Sequence, residues 1–381
     1  MILIDDKTLC CGCTACKSIC PQDAITMVKD GLGFEYPYVD PLRCIDCGLC
    51  DQVCTFSAPA KHAEGTPLAA RHKEAEELAA SQSGGAFAAI SNAVLEQGGI
   101  VCGAAFNDDF SVSHRLAWSR EERDAFRGSK YVQSSMGGCI SEIRDELDNG
   151  RTVLFSGTPC QVNGLISVTG ERDNLITVDI ICHGVPAPKV WEEYLSLAEK
   201  EAGSPVSEAS FRDKGRFGWH IHRETFTFAD GVTADSRSYA DLFYKHLMLR
   251  PSCSACTFNS TSRISDITIG DLWGWQEAAP EMNPDDKGLS LVMLNTENGR
   301  KLWEICSARM DCKEVDMAKC LQRPLSERVD INPLAEEFEK DFQSNGIEYV
   351  LKKYGDRNLQ SRMNYLYKDV RKTARKIILG K

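Results

Sequence analysis

Eighteen cysteines among 381 residues make metal and redox chemistry the first subject to examine. Nine precede residue 55, and eight of these repeat one spacing: three cysteines with two residues between neighbours, then a fourth after three more. Thiolates bind soft metal ions and iron–sulfur clusters. We expect no disulfide framework, because the chain is long and its start lacks a secretory signal. The two copies are Cys10-x2-Cys13-x2-Cys16-x3-Cys20 and Cys44-x2-Cys47-x2-Cys50-x3-Cys54.

This spacing is typical of bacterial ferredoxins with two 4Fe–4S clusters. Three thiolates surround one cubane from a short loop, and the fourth begins a helix that leads to the other cubane. The ligand sets are therefore expected to cross between the two copies. A zinc ribbon is the alternative, but its ligands come in pairs around a longer spacer. One cluster should be held by Cys10, Cys13, Cys16 and Cys54, and the other by Cys20, Cys44, Cys47 and Cys50.

Two residues depart from the repeat. Cys11 is out of register with the ligand spacing and is interpreted as a bystander. Thr55 follows the second copy where Pro21 follows the first, which affects the local turn and not the ligands. Between the copies, residues 34–39 and the nearby glycines predict a short hairpin, as a small two-fold ferredoxin domain requires.

Four cysteines further along the chain are candidates for a third cluster. Two follow apolar strand-like runs, and two form a CxxC pair. A third 4Fe–4S cluster is the favoured interpretation, with a zinc site or separate buried thiols as alternatives. The four are Cys160, Cys182, Cys253 and Cys256. The remaining five are predicted to be buried thiols: Cys102, Cys139, Cys306, Cys312 and Cys320.

Three short polar loops predict a site for an anionic cofactor. Small residues before a helix let backbone N–H groups face an anion, and strand ends in open α/β sheets collect ligands. Ordinary helix caps and surface turns are the alternatives. The loop residues are Ser83, Gly84 and Gly85; Ser129, Lys130 and Tyr131; and Gly157, Thr158 and Pro159.

The predicted fold class is α+β. Alternating apolar runs and helical stretches after residue 81 indicate a partly parallel sheet, and the pattern changes after residue 210. Strands are expected at 100–106, 152–155, 175–181, 224–228, 264–269 and 290–294, and helices at 86–97 and 138–149. The predicted parts are a ferredoxin domain over 1–58, a linker or junction helix over 59–80, the body over 81–150 and 151–330, and a helical basic tail over 331–381.

Composition narrows the function classes. Hydrophobic residues make up 43% and charged residues 26%, which is ordinary for a globular protein. A net charge of −11 argues against a nucleic-acid binder, and no apolar run is long enough for a membrane span. We therefore expect a cytoplasmic protein. Residues 352–381 carry a net charge of +8, which would suit an anionic membrane surface, an acidic partner or a second copy in a homodimer. A solvated helix face is the favoured alternative.

Several segments, in this order, resemble the family of coenzyme F420 hydrogenase/dehydrogenase beta subunits. They are SQSGG at 81–85, GSKY at 128–131, SGTPCQV at 156–162, ICHGVP at 181–186, FRDK through GW at 211–219, RPSCSAC from 250 and SDITIGDLWG to 274. Members of this family are iron–sulfur flavoproteins, usually with FAD. The resemblance implies that the three loops surround a flavin. It also supports a cluster at the four body cysteines.

The resemblance implies an oxidoreductase. Electrons would pass from reduced ferredoxin or another low-potential donor, through the clusters, to FAD and on to a small organic acceptor, or in reverse. Lys130 would stabilise a reduced anionic flavin, and His183 would transfer a proton, with His220 and His222 as alternatives. The second hypothesis is an electron-transfer subunit that serves a partner enzyme and has no substrate of its own.

Overall fold

The computed structural model describes residues 6–56 and 63–357. It contains a small N-terminal domain and a larger body, and the predicted α+β class is confirmed. The predicted tail over 331–381 falls partly on residues 358–381, which lie outside the described residues. Among the residues that the structure describes, no helix has both the length and the apolar character needed to cross a bilayer.

The N-terminal domain is built from one hairpin and two short helices. Strands β1 and β2 pair antiparallel with Ile25 opposite Val39, which confirms the predicted hairpin. Both residues pack on Cys16 in a small core. The elements are α1 (Ala15–Ile19), β1 (Ile25–Lys29), β2 (Glu35–Val39) and α2 (Leu49–Gln52).

The body is organised around an eight-stranded mixed sheet with the order β15-β4-β14-β13-β8-β7-β5-β6. The four strands β13, β8, β7 and β5 run parallel, and the outer ones pair antiparallel. The body strands are β3 (Ala63–Glu64), β4 (Thr66–His72), β5 (Ile100–Phe106), β6 (Val112–Ala117), β7 (Val153–Gly157), β8 (Leu175–Ile180), β9 (Val206–Ser210), β10 (Glu224–Phe228), β11 (Thr233–Ser236), β12 (Ser262–Arg263), β13 (Ile267–Asp271), β14 (Ser290–Leu294) and β15 (Met310–Glu314).

Helices cover both faces of this sheet. Val101 and Leu154 belong to one hydrophobic core, whereas Cys102 and Phe155, the next residues along β5 and β7, belong to another. Successive side chains of a strand point to opposite faces, so the two cores lie on opposite sides of the sheet. The body helices are α3 (Ala75–Ala80), α4 (Ala86–Glu96), α5 (Arg120–Asp124), α6 (Cys139–Asp148), α7 (Pro159–Thr169), α8 (Pro188–Ala202), α9 (Lys214–Phe217), α10 (Ser238–Tyr244), α11 (Trp275–Ala278), α12 (Glu297–Cys306), α13 (Met317–Cys320) and α14 (Ala335–Lys353).

A second unit of the body packs beside the sheet. The three strands β9, β10 and β11 form their own antiparallel sheet in the order β11-β10-β9. Aromatic residues from α8, β10, α10 and α14 share one core, including Trp191, Phe226, Tyr239 and Phe338. The helical character predicted for the segment 331–381 is confirmed by α14 over the described part of that segment.

Two predictions about residues of the large sheet are wrong. The predicted linker over 59–80 contains β4, which lies inside the large sheet between β15 and β14. Buried Ala69 and Ala70 provide close packing there, which the polar, alanine-rich composition does not indicate. Cys312 is exposed and not buried, because β15 is an edge strand with one face to solvent.

Gly84 tests how tightly the loop before α4 packs on the sheet. A Cβ at this position would lie 2.3 Å from Ala70 O and 2.4 Å from Ser290 N, both backbone atoms. We expect Gly84→Ala to lower the free energy of unfolding by about 1–3 kcal/mol, as overpacking does. Denaturant unfolding with Gly138→Ala as control, where the nearest atom is 3.7 Å away, measures this. Equal stability of the two variants would contradict the expectation.

Candidate redox site

The eight cysteines of the repeated spacing line two separate cavities in the N-terminal domain. We call the first the inner site; it is lined by Cys10, Cys13, Cys16 and Cys54. We call the second the outer site; it is lined by Cys20, Cys44, Cys47 and Cys50. The grouping has the crossed arrangement that the spacing predicts. Cys11 lines the inner cavity as well. The four thiols of the repeated spacing around each cavity fit the ligand set of a 4Fe–4S cluster. Ligation by these residues stays a prediction.

Left-handed backbone conformations shape both cysteine loops. Thr14 and Gly48 have φ values of 65° and 75° immediately before α1 and α2. Gly12 has a φ of 72°, and a Cβ there would lie 2.9 Å from the Arg250 guanidinium. Glycine is therefore required at position 12 for conformation and for space.

The inner site lies against the body, and the outer site faces away from it. Gly164 of α7 touches Cys13: a Cβ on that glycine would lie 2.8 Å from the Cys13 Sγ. The Ser167 hydroxyl of the same helix donates to Val53 O at 2.9 Å. Cys47 of the outer site, in contrast, is exposed. An electron that enters the domain from outside would therefore reach the body through the inner site.

Three of the four body cysteines lie within electrostatic range of one another, although no three or more His, Cys, Asp or Glu side chains in residues 6–56 and 63–357 are grouped closely enough to hold a single metal ion. Burial, followed by the thiols of Cys253 and Cys256, raises the pKa of Cys182 to about 12. Cys160 instead lies in hydrogen-bond contact with Cys11, which also contacts Cys13. Cys11 is buried at the junction of domain and body, a position that its interpretation as a bystander did not foresee. Whether Cys160 joins the other three as a ligand stays a prediction.

A cavity of about 690 Å³ opens at the carboxyl ends of β7, β8 and β13. This is where open α/β sheets bind ligands. Eight of the residues predicted for cofactor binding or catalysis line it: Ser83, Gly85, Ser129, Lys130, Tyr131, Gly157, Thr158 and His183. Two others are placed differently. Gly84 packs against the backbone of β4 and β14, and Pro159 begins α7.

Lys130 is a partly buried lysine on the cavity wall. Its Nζ donates to Ala125 O and Arg127 O, both at 2.8 Å, so it ties the cavity loop to the end of α5. Burial lowers the pKa of Lys130 to about 7. The side chain therefore changes charge near neutral pH.

The predicted histidines differ in their surroundings. His183 Nε2 lies 2.8 Å from His246 Nε2, and His246 Nδ1 lies 2.8 Å from Asp330 O. His220 and His222 both line the same cavity: His222 lies beside the ring of Tyr131, and His220 Nδ1 lies 3.4 Å from the Asp286 carboxylate. Burial lowers the pKa of His183 to about 4, with His246 adding to the effect.

Sequence reasoning missed a buried ion pair at the far end of the cavity. Arg212 Nη1 donates to Asp271 at 2.5 Å and its Nη2 donates to Trp219 O at 2.6 Å. The Trp219 indole donates to the same carboxylate at 2.8 Å and stacks on Trp273, which lines the cavity. Arg212 and Trp219 lie in the quoted FRDK–GW segment, so the resemblance marked the segment but gave no reason for it.

Two parts of the chain match known protein families. Residues 150–319 match the family described as the C-terminal part of the beta subunit of coenzyme F420 hydrogenase/dehydrogenase. Residues 9–58 match the 4Fe-4S dicluster domain. The chain is similar to a subunit of the F(420)H(2) dehydrogenase of Methanosarcina mazei, 23% identical over 332 residues, which are 80% of this chain and 84% of that protein.

Other similarities cover less of the chain or show lower likeness. A subunit of the Na(+)-translocating ferredoxin:NAD(+) oxidoreductase complex of Acetobacterium woodii is 47% identical over 48 residues, 13% of each protein. Among solved structures, a chain of the F420-reducing NiFe hydrogenase complex from Methanosarcina barkeri has a TM-score of 0.46 at 20% identity. That likeness covers 76% of this chain and 91% of the other.

Buried His114 makes the body sensitive to acid. It lines the cavity, its Nε2 lies 3.1 Å from Ser156 O, and burial lowers its pKa to about 4. The unfolded chain then binds more protons between about pH 6.5 and pH 4, so stability falls as the pH is lowered through that window. The full shift corresponds to about 3 kcal/mol.

We expect His114→Gln, which keeps a hydrogen-bonding side chain, to lose less stability than the unsubstituted protein between pH 7 and pH 5. Thermal unfolding at both pH values measures the difference. Exposed His220, substituted in the same way, serves as the control. An identical loss in the His114 variant and the unsubstituted protein would show that this histidine is not the acid-sensitive group.

Proposed function

We propose a function from the premise that this chain belongs to the family of coenzyme F420 hydrogenase/dehydrogenase beta subunits and carries a 4Fe-4S dicluster domain ahead of the family's C-terminal part. It is an iron–sulfur oxidoreductase of the electron-transfer type. Electrons from a low-potential, ferredoxin-type donor pass through the clusters to FAD in the body cavity and on to a small organic acceptor, or in the reverse direction.

One observation carries the proposal: Cys182 belongs both to the three-cysteine group and to the wall of the cavity. A cluster held by Cys182, Cys253 and Cys256 would therefore border the space available to a flavin. A flavin holds one or two electrons, which matches one-electron clusters to two-electron organic chemistry.

The two predicted cluster sites of the N-terminal domain lie in a series that leads towards Cys182. The inner site touches the body at Cys13 and Cys10. Arg250, which contacts Cys10, directly precedes the 3-10 helical turn Pro251–Ala255 that carries Cys253. The order supported by these contacts is outer site, inner site, three-cysteine group and cavity.

The cavity residues supply binding and proton handling. The loop with Ser129 and Tyr131 forms one wall, and Lys130 holds that loop to the end of α5. His183 is placed on the wall with His246 behind it, so a proton can be exchanged between the two rings. We assign Lys130 and His183 to flavin binding and proton transfer respectively.

A second candidate function is electron delivery to a partner protein. The relative from Methanosarcina mazei is a subunit of a dehydrogenase, which favours partners for this chain as well. The 690 Å³ cavity with its apolar and aromatic wall favours an acceptor of its own. A flavin that is reduced by the clusters but is oxidised only by a partner protein would support the second function.

The iron content of the purified protein distinguishes a chain with two clusters from a chain with three. We expect about twelve irons per chain after anaerobic purification and reconstitution, and about eight in Cys256→Ser, because one of three cubanes loses a ligand. Exposed Cys312→Ser is the matched control and should keep about twelve. A count of about eight in the unsubstituted protein would remove the third cluster from the proposal.

The flavin content of the purified protein tests whether the cavity binds FAD. We expect purified protein to contain about one FAD per chain, and Lys130→Met to retain several-fold less because the cavity loop loses both carbonyl contacts. Lys73→Met is the control: its Nζ also donates to a backbone carbonyl, that of Ala308 at 2.9 Å, but neither residue lines the cavity. Equal flavin loss in both variants would indicate a general loss of stability.

A further inference from the structure

Arg250 is a cation buried completely between the N-terminal domain and the body, with a relative exposure of 0%. A buried charge is costly unless an opposite charge or several hydrogen bonds compensate it. Within residues 6–56 and 63–357, its hydrogen-bond partners include no carboxylate. Three of them are neutral oxygens, so the charge itself has no protein counterpart there.

The guanidinium is instead directed at the inner site. Its Nε donates to Cys10 O at 2.7 Å, and one Nη2 hydrogen points to the Cys10 Sγ at 3.6 Å. The other contacts hold it in place: Gln133 Oε1 at 2.9 Å, Glu35 O at 2.8 Å and the face of Tyr36 at 4.4 Å. The Arg250 guanidinium is therefore held in one orientation next to Cys10, a predicted cluster ligand.

We propose that Arg250 sets the reduction potential of the inner cluster and raises it relative to the same cluster without this charge. Hydrogen bonds to the ligand sulfurs and nearby charge are among the factors that determine cluster potentials. The Arg250 guanidinium provides both a hydrogen bond and a positive charge. In a water-excluded junction its field on the cluster is screened less than at the surface.

The chemistry is a one-electron step without bond changes. A low-potential donor such as dithionite gives one electron to the oxidised cluster, whose negative charge grows by one. The guanidinium stabilises this added charge and so favours the reduced form. Burial of the inner site acts in the opposite direction, because it disfavours the more highly charged state. Arg250 thereby offsets the cost of placing an electron next to the body.

The outer site provides the internal comparison. Its ligand Cys44 accepts a hydrogen bond from the backbone of Asp46 at 3.4 Å, and that aspartate is exposed. Asp46→Asn removes a negative charge there, and asparagine tolerates the positive φ of 52° at this position. This variant should raise the potential of the outer cluster and so identify which of the measured potentials belongs to it.

The test is an anaerobic redox titration of the full chain followed by electron paramagnetic resonance, which needs neither acceptor nor flavin. We expect Arg250→Gln to lower one midpoint potential by at least about 59 mV, a tenfold change in a one-electron equilibrium. That potential should be one that Asp46→Asn leaves unchanged. Arg250→Lys, which keeps the charge, should retain most of the native value.

Arg123→Gln is the matched control, because it also removes a fully buried guanidinium, but one bonded to Ala88 O and Asn92 away from the cysteines. It should leave the cluster potentials unchanged. Where Arg250→Gln does not retain its iron, Gln133→Glu takes its place: it sets a carboxylate against the guanidinium and should lower the same potential.

Unchanged potentials in an iron-loaded Arg250→Gln protein would overturn the proposal and leave Arg250 as a structural contact only. The same holds for iron-loaded Gln133→Glu where that variant is used. A shift confined to the potential that Asp46→Asn moves would also overturn it. The proposal rests on the 4Fe-4S dicluster domain, so it can fail while the proposed flavin function holds, and the reverse is equally true.

Discussion

The contact between the inner site and the body is the constraint on which the rest of this structure depends. Electrons pass between centres only over short distances, so the clusters are useful to the cavity only if the small domain stays docked. Close backbone packing maintains the contact: Gly164 leaves room for Cys13, and Lys189 N donates to Leu32 O at 3.0 Å. Because β3 begins at Ala63, few sequence positions separate the body from the N-terminal domain.

The mixed sheet places the second half of the site. Its parallel strands end on one edge, where the residues after β7 and β8 form the cavity wall and contribute Thr158, Cys182 and His183. Neither β7 nor β8 by itself would bring these three side chains together. The buried pair of Arg212 and Asp271 then closes the far end of the cavity, with Asp271 at the end of β13. The sheet therefore positions Cys182 and the cavity wall together.

Local patterns predicted those features that local forces determine. The ferredoxin spacing predicted which cysteines share a cavity, because short loops and helices fix the geometry of the ligands. Apolar runs predicted β5, β10 and β14 with their observed bounds, because these strands are buried and uninterrupted. The family resemblance, which a family match over residues 150–319 supports, added the segments around the cavity.

Contacts between distant segments could not be predicted in this way. The segment with β4 has the composition of a linker and becomes a strand because two partners, β14 and β15, pair with it. Cys11 gains its neighbour Cys160 only when the domain docks. Arg250 lies 240 positions from Cys10 in sequence, and nothing in the RPSC segment indicates a contact with the N-terminal domain.

The same buried guanidinium links cluster insertion to docking. In a chain without clusters, the inner site would supply no cluster charge to face Arg250, whose hydrogen-bond partners within residues 6–56 and 63–357 include no carboxylate. Arg250 would then be a buried cation with hydrogen bonds but no opposite charge, which is unfavourable in a closed junction. A four-thiolate cubane supplies negative charge at that position. The N-terminal domain should therefore dock more firmly on the body after the inner cluster has been inserted. The path for electrons between the two would then be complete only in a chain that carries this cluster.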